Sequence, residues 1–236
     1  MNKSPGKNKP PIKDLGAPGT KRRSVPDLAA LGVVIIAMFV FFSVTSEFFL
    51  RPDNLLNILT AISVTGILAI PATMLLIAGQ VDLSVGSGAA FAGVTFAVIY
   101  SNYDVATAFL VSVLVGLLAG IVNGFLVTVV GINSLITTLA TLAVLRGATR
   151  LLTDGQTAVV SDFAWLGTSR PFLNIPLPVI IFLAIALLSS LVMRYTVMGR
   201  SLYAIGANPD AARLVGIRTG VILFVVFALS GLAMAL

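Results

Sequence analysis

The sequence predicts an all-α protein that crosses a membrane several times as a polytopic bundle of transmembrane helices. Two properties of the whole chain indicate this class: the mean hydropathy of its 236 residues is +1.05, and only 10% of them are charged. A soluble domain needs far more polar surface than this. The apolar residues also occur in long runs, and about 20 apolar residues in a helix are enough to cross the hydrocarbon of a bilayer.

Seven apolar runs are expected to form spans, and the last of them is still apolar at Leu236. These runs are residues 28–49, 57–79, 86–101, 105–130, 134–152, 175–194 and 219–236.

Residues 1–26 precede the spans and are predicted to be a disordered, basic tail, whereas residues 27–236 form the transmembrane domain. The tail contains much of the net charge of +6. Basic residues also flank the segment 195–218. Since cytoplasmic segments are enriched in Lys and Arg, we expect both on the cytoplasmic side of a bacterial inner membrane. Arg146 and Arg150 lie toward the outer end of the fifth span, against this bias, and are interpreted as snorkelling side chains.

The net positive charge is explained by the orientation of the chain in the membrane, and no nucleic-acid partner is expected.

The chain contains no cysteine and no histidine. Disulfides, zinc sites and catalysis by cysteine or histidine are therefore excluded, and no metal or other cofactor is expected. No phosphate-binding loop of the form G-x-x-x-x-G-K-[ST] occurs either. The sequence thus predicts that the chain is not an enzyme and does not itself hydrolyse ATP.

The segment 195–218 is predicted to contain one short helix, 209–215. Asn208 is a preferred N-cap residue, and Pro209 suits the first helical position. Asp210 follows in the first turn, where negative charge is favourable, and Gly216 suits the C-terminal end. The exposed face is expected to present Ala211, Ala212 and Val215. Two interpretations stay open: the helix docks onto another protein, or it packs against the spans of its own chain.

Asp82 is costly to place within a membrane. The order of the spans places it at the cytoplasmic turn between the second and third spans, where Asp82 or Ser84 would cap the third span. The third span is short, however, and glycines flank its start, which is also typical of discontinuous helices at transport sites. The sequence favours capping, and a role at a transport site stays the alternative.

Small and polar residues mark the fourth and fifth spans. Gly116, Gly120 and Gly124 share one helix face, which predicts close packing of helices. Asn123, Thr137 and Thr138 are candidate residues of a solute pathway, together with Asp82, Ser84, Gly86 and Ser87. Most intramembrane hydroxyl and amide groups bond to neighbouring helices instead.

Two stretches resemble permease subunits of ribose-type ABC sugar importers. The first is MGRSLYAIGANPDAARLVGI (198–217), which is similar to the loop that couples such permeases to their ATPase. The second is AGQVDLSVGS (78–87), which resembles the family's signature Gly-Gly-Ile-Asp-Leu-Ser-Val-Gly-Ser but departs from it at Gln80 and Val81. GIVNGFLV (120–127) and residues 134–156 match more loosely, and Pro71 stands where a glycine is expected. The coupling positions that the resemblance implies, with the two helix-start residues, are Gly199, Arg200, Ala204, Gly206, Asn208, Pro209, Asp210, Ala211, Ala212 and Gly216.

The resemblance implies a permease of the ribose and vitamin-B12 type, which imports a monosaccharide such as ribose, another pentose or rhamnose. It implies four partners: a separate ABC ATPase subunit, a soluble sugar-binding protein, a second permease copy (identical or paralogous) and the membrane lipid. Family members continue through about three more spans, so a chain truncated after its seventh span is expected. Two other classes remain as alternatives, an ion-coupled secondary transporter of a small neutral solute and a membrane anchor without transport activity.

Overall fold

The computed structural model describes residues 26–158, 160, 169–172 and 174–236, and these residues divide into two compact units. The predicted disordered tail, 1–26, lies outside the described residues except for Pro26, which begins a helix. The first unit ends at Arg51 and contains helix α1, Pro26–Thr45. After α1 the chain turns so that Phe49 packs against Phe39 and Phe42, with ring centroids 5.2 and 5.7 Å apart.

The second unit, Pro52–Leu236, contains eight helices among its described residues. They are α2 (Pro52–Ile77), α3 (Val85–Tyr100), α4 (Val105–Thr128), α5 (Ser134–Leu152), α6 (Leu177–Tyr195), α7 (Val197–Ala207), α8 (Pro209–Leu214) and α9 (Thr219–Ala233).

Each of the seven predicted spans corresponds to one helix of the structure. Among the described residues, α2, α4, α5 and α6 are long and apolar enough to cross a membrane, while the apolar parts of α1, α3 and α9 are shorter. The prediction of a helical membrane protein is therefore confirmed.

Helices α4 and α9 pack against each other through glycine. A Cβ atom on Gly120 would overlap the carbonyl oxygen of Phe227 and lie 2.8 Å from the Cα of Gly231. Gly124 packs more loosely, since a Cβ there would lie 3.1 Å from the Phe224 ring and 3.2 Å from the Phe227 Cβ. Gly124, late in α4, lies next to Phe224, whereas Gly116, earlier in α4, lies next to Gly231. The two helices α4 and α9 are therefore antiparallel. The predicted glycine face on the fourth span is confirmed, and its partner is α9.

The end of the bundle beside the start of α9 is closed by an apolar cluster. Its buried members come from α2 and the residue just after it, from α7, from α8 and from α9: Met74, Leu75, Ala78, Leu202, Ile205, Ala212, Leu223, Val226 and Phe227. The two short helices α7 and α8 are thereby fixed to the transmembrane helices.

Candidate functional site: a short exposed helix and a buried loop

Helix α8 has the capped geometry that its sequence predicts. The Asn208 side-chain oxygen accepts hydrogen bonds from the backbone N–H groups of Asp210 and Ala211, both at 3.0 Å. At the other end Gly216 adopts φ +85°, its N–H donates to Arg213 O, and Ile217 N–H donates to Ala212 O, each at 3.0 Å. This pair of bonds satisfies two carbonyl groups at the helix end. Both predicted caps are confirmed, although the helix ends at Leu214 and not at residue 215.

The predicted exposed face of α8 requires one correction. Ala212 is buried, 3% exposed, because it packs into the cluster with α2 and α7. Ala211 and Val215 are exposed as predicted, and Leu214, which is not among the predicted residues of this face, is 88% exposed. The outward face is therefore larger and more apolar than the alanines alone indicated.

Upstream of α8, the structure contains a second helix, α7, where only irregular chain was expected. Thr196 caps α7, with its hydroxyl oxygen accepting from Gly199 N–H at 3.3 Å. A Cβ on Gly199 would overlap backbone of Met193, and a Cβ on Gly206 would overlap the carbonyl oxygen of Ile77. These two glycines let the segment pack closely against its own chain.

The predicted coupling positions consequently divide into two groups. Gly199 and Ala212 are buried and Ala204 is partly buried, so these three face their own chain. The exposed positions are Arg200, Gly206, Asn208, Pro209, Asp210, Ala211 and Gly216, of which Gly206 also approaches the α2 backbone at Ile77.

In the loop between α2 and α3, Ala78–Ser84, the residues Ala78, Asp82 and Ser84 are buried, whereas Gly79 and Leu83 are exposed. Asp82 is 8% exposed, and its Oδ2 atom accepts a hydrogen bond of 2.7 Å from the Ser230 hydroxyl. Ser230 lies eleven residues beyond Thr219, the first residue of α9, a rise of roughly 16 Å. The expectation that Asp82 lies at a surface turn is therefore wrong: the loop enters the bundle, and α3 begins partway through it.

Neither Asp82 nor Ser84 caps α3 in the predicted way. Ser84 occupies the N-cap position but forms no side-chain capping bond. Its N–H and hydroxyl instead donate to Asp82 Oδ1, at 2.9 and 2.6 Å. Asp82 therefore accepts three hydrogen bonds, two from Ser84 and one from Ser230, and it orders the loop instead of the helix end.

The hydrogen bonds continue from Ser84 into α4 and α5. The Asn123 amide donates to Ser84 Oγ at 2.9 Å, and its Oδ1 atom accepts from the Thr141 hydroxyl at 2.6 Å. Residues Asp82, Ser84, Asn123, Thr141 and Ser230 thus form one connected set, which we call the buried polar network. Three of the predicted pathway residues, Asp82, Ser84 and Asn123, are thus brought together by the structure.

The backbone of the same loop is held by α5. Val81 N–H donates to Ser134 Oγ at 3.3 Å, and the Thr138 hydroxyl lies 3.4 Å from the Val81 carbonyl oxygen. Thr137 is separate from these contacts, and its buried hydroxyl has no hydrogen-bond partner in the described part of the chain. Gly86 and Ser87 lie outside the buried polar network and border a groove between α3 and α5.

Comparison with known proteins identifies the class of the chain. Residues 54–236 match the family described as "Branched-chain amino acid transport system / permease component". The fold of apolar helices agrees with a membrane-embedded transport component.

Individual relatives agree with the family. The chain is 35% identical over 211 residues to the ribose import permease protein RbsC of Haemophilus influenzae, covering 86% of this chain and 65% of the relative. It is also 35% identical over 214 residues to the L-arabinose transport system permease protein AraH of Escherichia coli (86% and 63%). The Bacillus subtilis RbsC is 33% identical over 210 residues (87% and 65%).

The chain belongs to this permease family, and its resemblance to sugar ABC permeases is confirmed. It spans slightly less than two thirds of the length of these relatives. No solved structure matches it.

Asp82 variants separate the hydrogen bonds of this residue from its charge. In Asp82→Asn the amide oxygen can still accept from Ser84 while the NH2 group donates to the Ser230 hydroxyl, so we expect an apparent unfolding midpoint near that of the wild type. Asp82→Ala leaves buried donors unpaired at about 1–3 kcal/mol each. We expect its midpoint in detergent to fall by several degrees, roughly 2–4 °C per kcal/mol. An equal loss in both variants would show that the charge itself is required.

Proposed function

We propose that the chain is the transmembrane permease subunit of an ATP-driven ABC importer that translocates a monosaccharide, and that α8 is its docking point for a separate ATPase subunit. The observation that supports docking is the contrast between the two sides of α8. On the side that faces the apolar cluster, Ala212 is buried, whereas on the outward side Leu214 and Val215 are 88% and 78% exposed. An exposed apolar tip on a firmly held helix fits an interface with another protein.

The contacts of α8 would allow a movement of this helix to be transmitted to the transmembrane helices. The guanidinium of Arg213 donates to the Thr219 hydroxyl, from Nε at 3.1 Å, and so ties α8 to the first residue of α9. Ala212 ties it to α2 and α7 through the apolar cluster. A displacement of α8 by an attached ATPase would therefore act on three helices together, as an alternating-access mechanism requires.

The proposed assembly follows the family. A separate ATPase supplies the energy, a soluble sugar-binding protein delivers the solute on the opposite side, and a second permease copy, identical or paralogous, completes the membrane part. Membrane lipid surrounds the bundle. We propose a monosaccharide of the ribose, pentose or rhamnose kind as the solute, and the relatives named for ribose and L-arabinose import support a pentose.

We also propose that the protein lies in the bacterial inner membrane with its N-terminus and α8 on the cytoplasmic side. The basic residues of the tail and of the segment 195–218 support this orientation. It places the turn between α3 and α4 outside.

The alternative function, an ion-coupled secondary transporter, is favoured by one observation, the buried carboxyl group of Asp82. Within the described residues its hydrogen-bond partners are Ser84 and Ser230, and no basic side chain pairs with it. Coupling to an ion would require the negative charge of Asp82, whereas the buried polar network needs only the hydrogen bonds that this side chain accepts.

Docking is tested by changing the exposed apolar tip of α8. Leu214→Glu is expected to reduce co-purification of the ATPase about tenfold, since losing a central apolar contact costs roughly 1–2 kcal/mol or more. Ala211→Trp is expected to reduce it as well, because the added bulk prevents close approach at this face. Leu151→Glu is the matched control because Leu151 is 82% exposed on α5, at the end predicted to be outside. Membrane levels of the permease should stay unchanged in all three. An intact complex with Leu214→Glu and Ala211→Trp would contradict docking through this face.

Orientation is tested by cysteine labelling, for which the chain has no cysteine background. Asn102, in the turn between α3 and α4, and Asp210 on α8 are both exposed. In intact cells, Asn102→Cys should react with an impermeant maleimide, and Asp210→Cys should react only after permeabilisation. The reverse pattern would invert the proposed orientation and remove α8 from the side of the ATPase.

A further inference from the structure

The groove between α3 and α5 has a volume of about 360 Å³. Helix α3 contributes Gly86, Ser87 and Ala90, and α5 contributes Arg146, Thr149 and Arg150. This volume falls at the lower end of the range of about 300–1,000 Å³ that is typical of small-molecule sites. The groove begins at the first turn of α3, directly beyond the loop that Asp82 fixes.

The two arginines of this groove are its most informative residues. They lie one turn apart on α5, a helix long and apolar enough to cross a membrane, and both are exposed. Within the described residues neither guanidinium forms an ion pair. Arg146 lies six residues before the end of α5 at Leu152, roughly 9 Å along the axis. A guanidinium at that position is costly against lipid, so this face of α5 is expected to meet water or polar groups.

The polar groups of the groove are suited to a ligand rich in oxygen. Each guanidinium has five N–H donors and no acceptor. The hydroxyls of Ser87 and Thr149 donate to the carbonyl oxygens of Ser84 and Leu145, at 2.9 and 2.8 Å, so their oxygens can still accept hydrogen bonds. Among the residues that the structure describes, no carboxylate lines the groove. Hydroxyl and ring oxygens of a sugar match this set of donors.

The other large cavity beside α5 has a different chemistry. It lies between α4 and α5 and is lined almost entirely by aliphatic and aromatic side chains, among them Leu118, Val122, Ile136 and Val144. Such a surface suits lipid or a neighbouring apolar helix. Both arginines of α5 line the groove toward α3, whereas Thr137 and Thr141 are the polar residues of α5 in this second cavity.

We propose that the groove between α3 and α5 is a water-accessible part of the solute pathway, in which Arg146 and Arg150 bind the oxygens of a polyhydroxylated solute. The proposal rests on the function proposed above and adds the residues that contact the sugar. It also replaces the interpretation of the two arginines as snorkelling side chains. Gly86 and Ser87 remain pathway residues, while Asp82, Ser84 and Asn123 position the start of α3.

Cysteine reactivity tests whether water reaches the groove. Ser87→Cys and Thr149→Cys, in the full chain in membranes, should react with a hydrophilic methanethiosulfonate reagent about tenfold faster than Val144→Cys, because thiols in apolar surroundings are inert. Val144 is the matched control, since it is 68% exposed on another face of α5. Reaction at Ser87→Cys as slow as at Val144→Cys would overturn the proposal.

Reagent charge tests where the arginines point. The ratio of rates for the anionic sulfonatoethyl reagent over the cationic trimethylammonioethyl reagent should fall roughly threefold or more when Arg146→Gln or Arg150→Gln is added to Ser87→Cys, since one nearby positive charge is lost. An unchanged ratio would show that the guanidinium groups lie at lipid headgroups and not in the groove, and would also overturn the proposal.

Uptake tests the solute itself. In the complete transporter, Arg146→Gln is expected to lower uptake of D-ribose or L-arabinose at least tenfold while the ATPase still co-purifies. Wild-type-like uptake by both Arg146→Gln and Arg150→Gln would overturn sugar binding by these residues. If the wild-type complex imports neither sugar, the proposed function fails for these solutes, whereas the labelling experiments still decide the status of the groove.

Discussion

The hydrogen bonds of Asp82 are the constraint on which the interior of the second unit depends. Non-helical backbone is costly inside an apolar bundle unless its N–H and C=O groups find partners within the protein. The loop Ala78–Ser84 meets this requirement through side chains: Asp82 bonds to Ser84 and to Ser230 of α9, and Ser134 binds the backbone of Val81. Without these partners, a loop at this depth would be unstable, and α3 could not begin where it does.

The position of the loop links the two candidate functional regions. At its start, Ala78 packs in the same cluster as Ala212 of α8, and Ile77 contacts the backbone of Gly206 in α7. At its end, Ser84 leads directly into the turn of α3 that borders the groove with Arg146. Seven residues thus connect the exposed helix to the polar groove, which is the arrangement expected if movement at one is to alter access at the other.

Local sequence predicted local structure well. The caps of α8 and the glycine face of α4 depend on residues a few positions apart, so the pattern alone was sufficient to find them. The depth of Asp82 was not predictable in this way, because its partner Ser230 is 148 residues distant. The burial of Ala212 likewise depends on packing against α2 and α7. Arg146 and Arg150 were noted in the sequence, but only the neighbouring residues of α3 show that they border a groove.

A double-mutant cycle between Asp82 and Ser230 tests the central constraint most directly. The free energy of unfolding would be measured in mixed micelles for the wild type, Asp82→Ala, Ser230→Ala and the double variant. Because the two side chains share a bond of 2.7 Å, we predict a coupling energy of about 0.5–3 kcal/mol. Effects that add to within roughly 0.3–0.5 kcal/mol would show that the two residues do not interact, and would contradict the anchoring of the loop to α9.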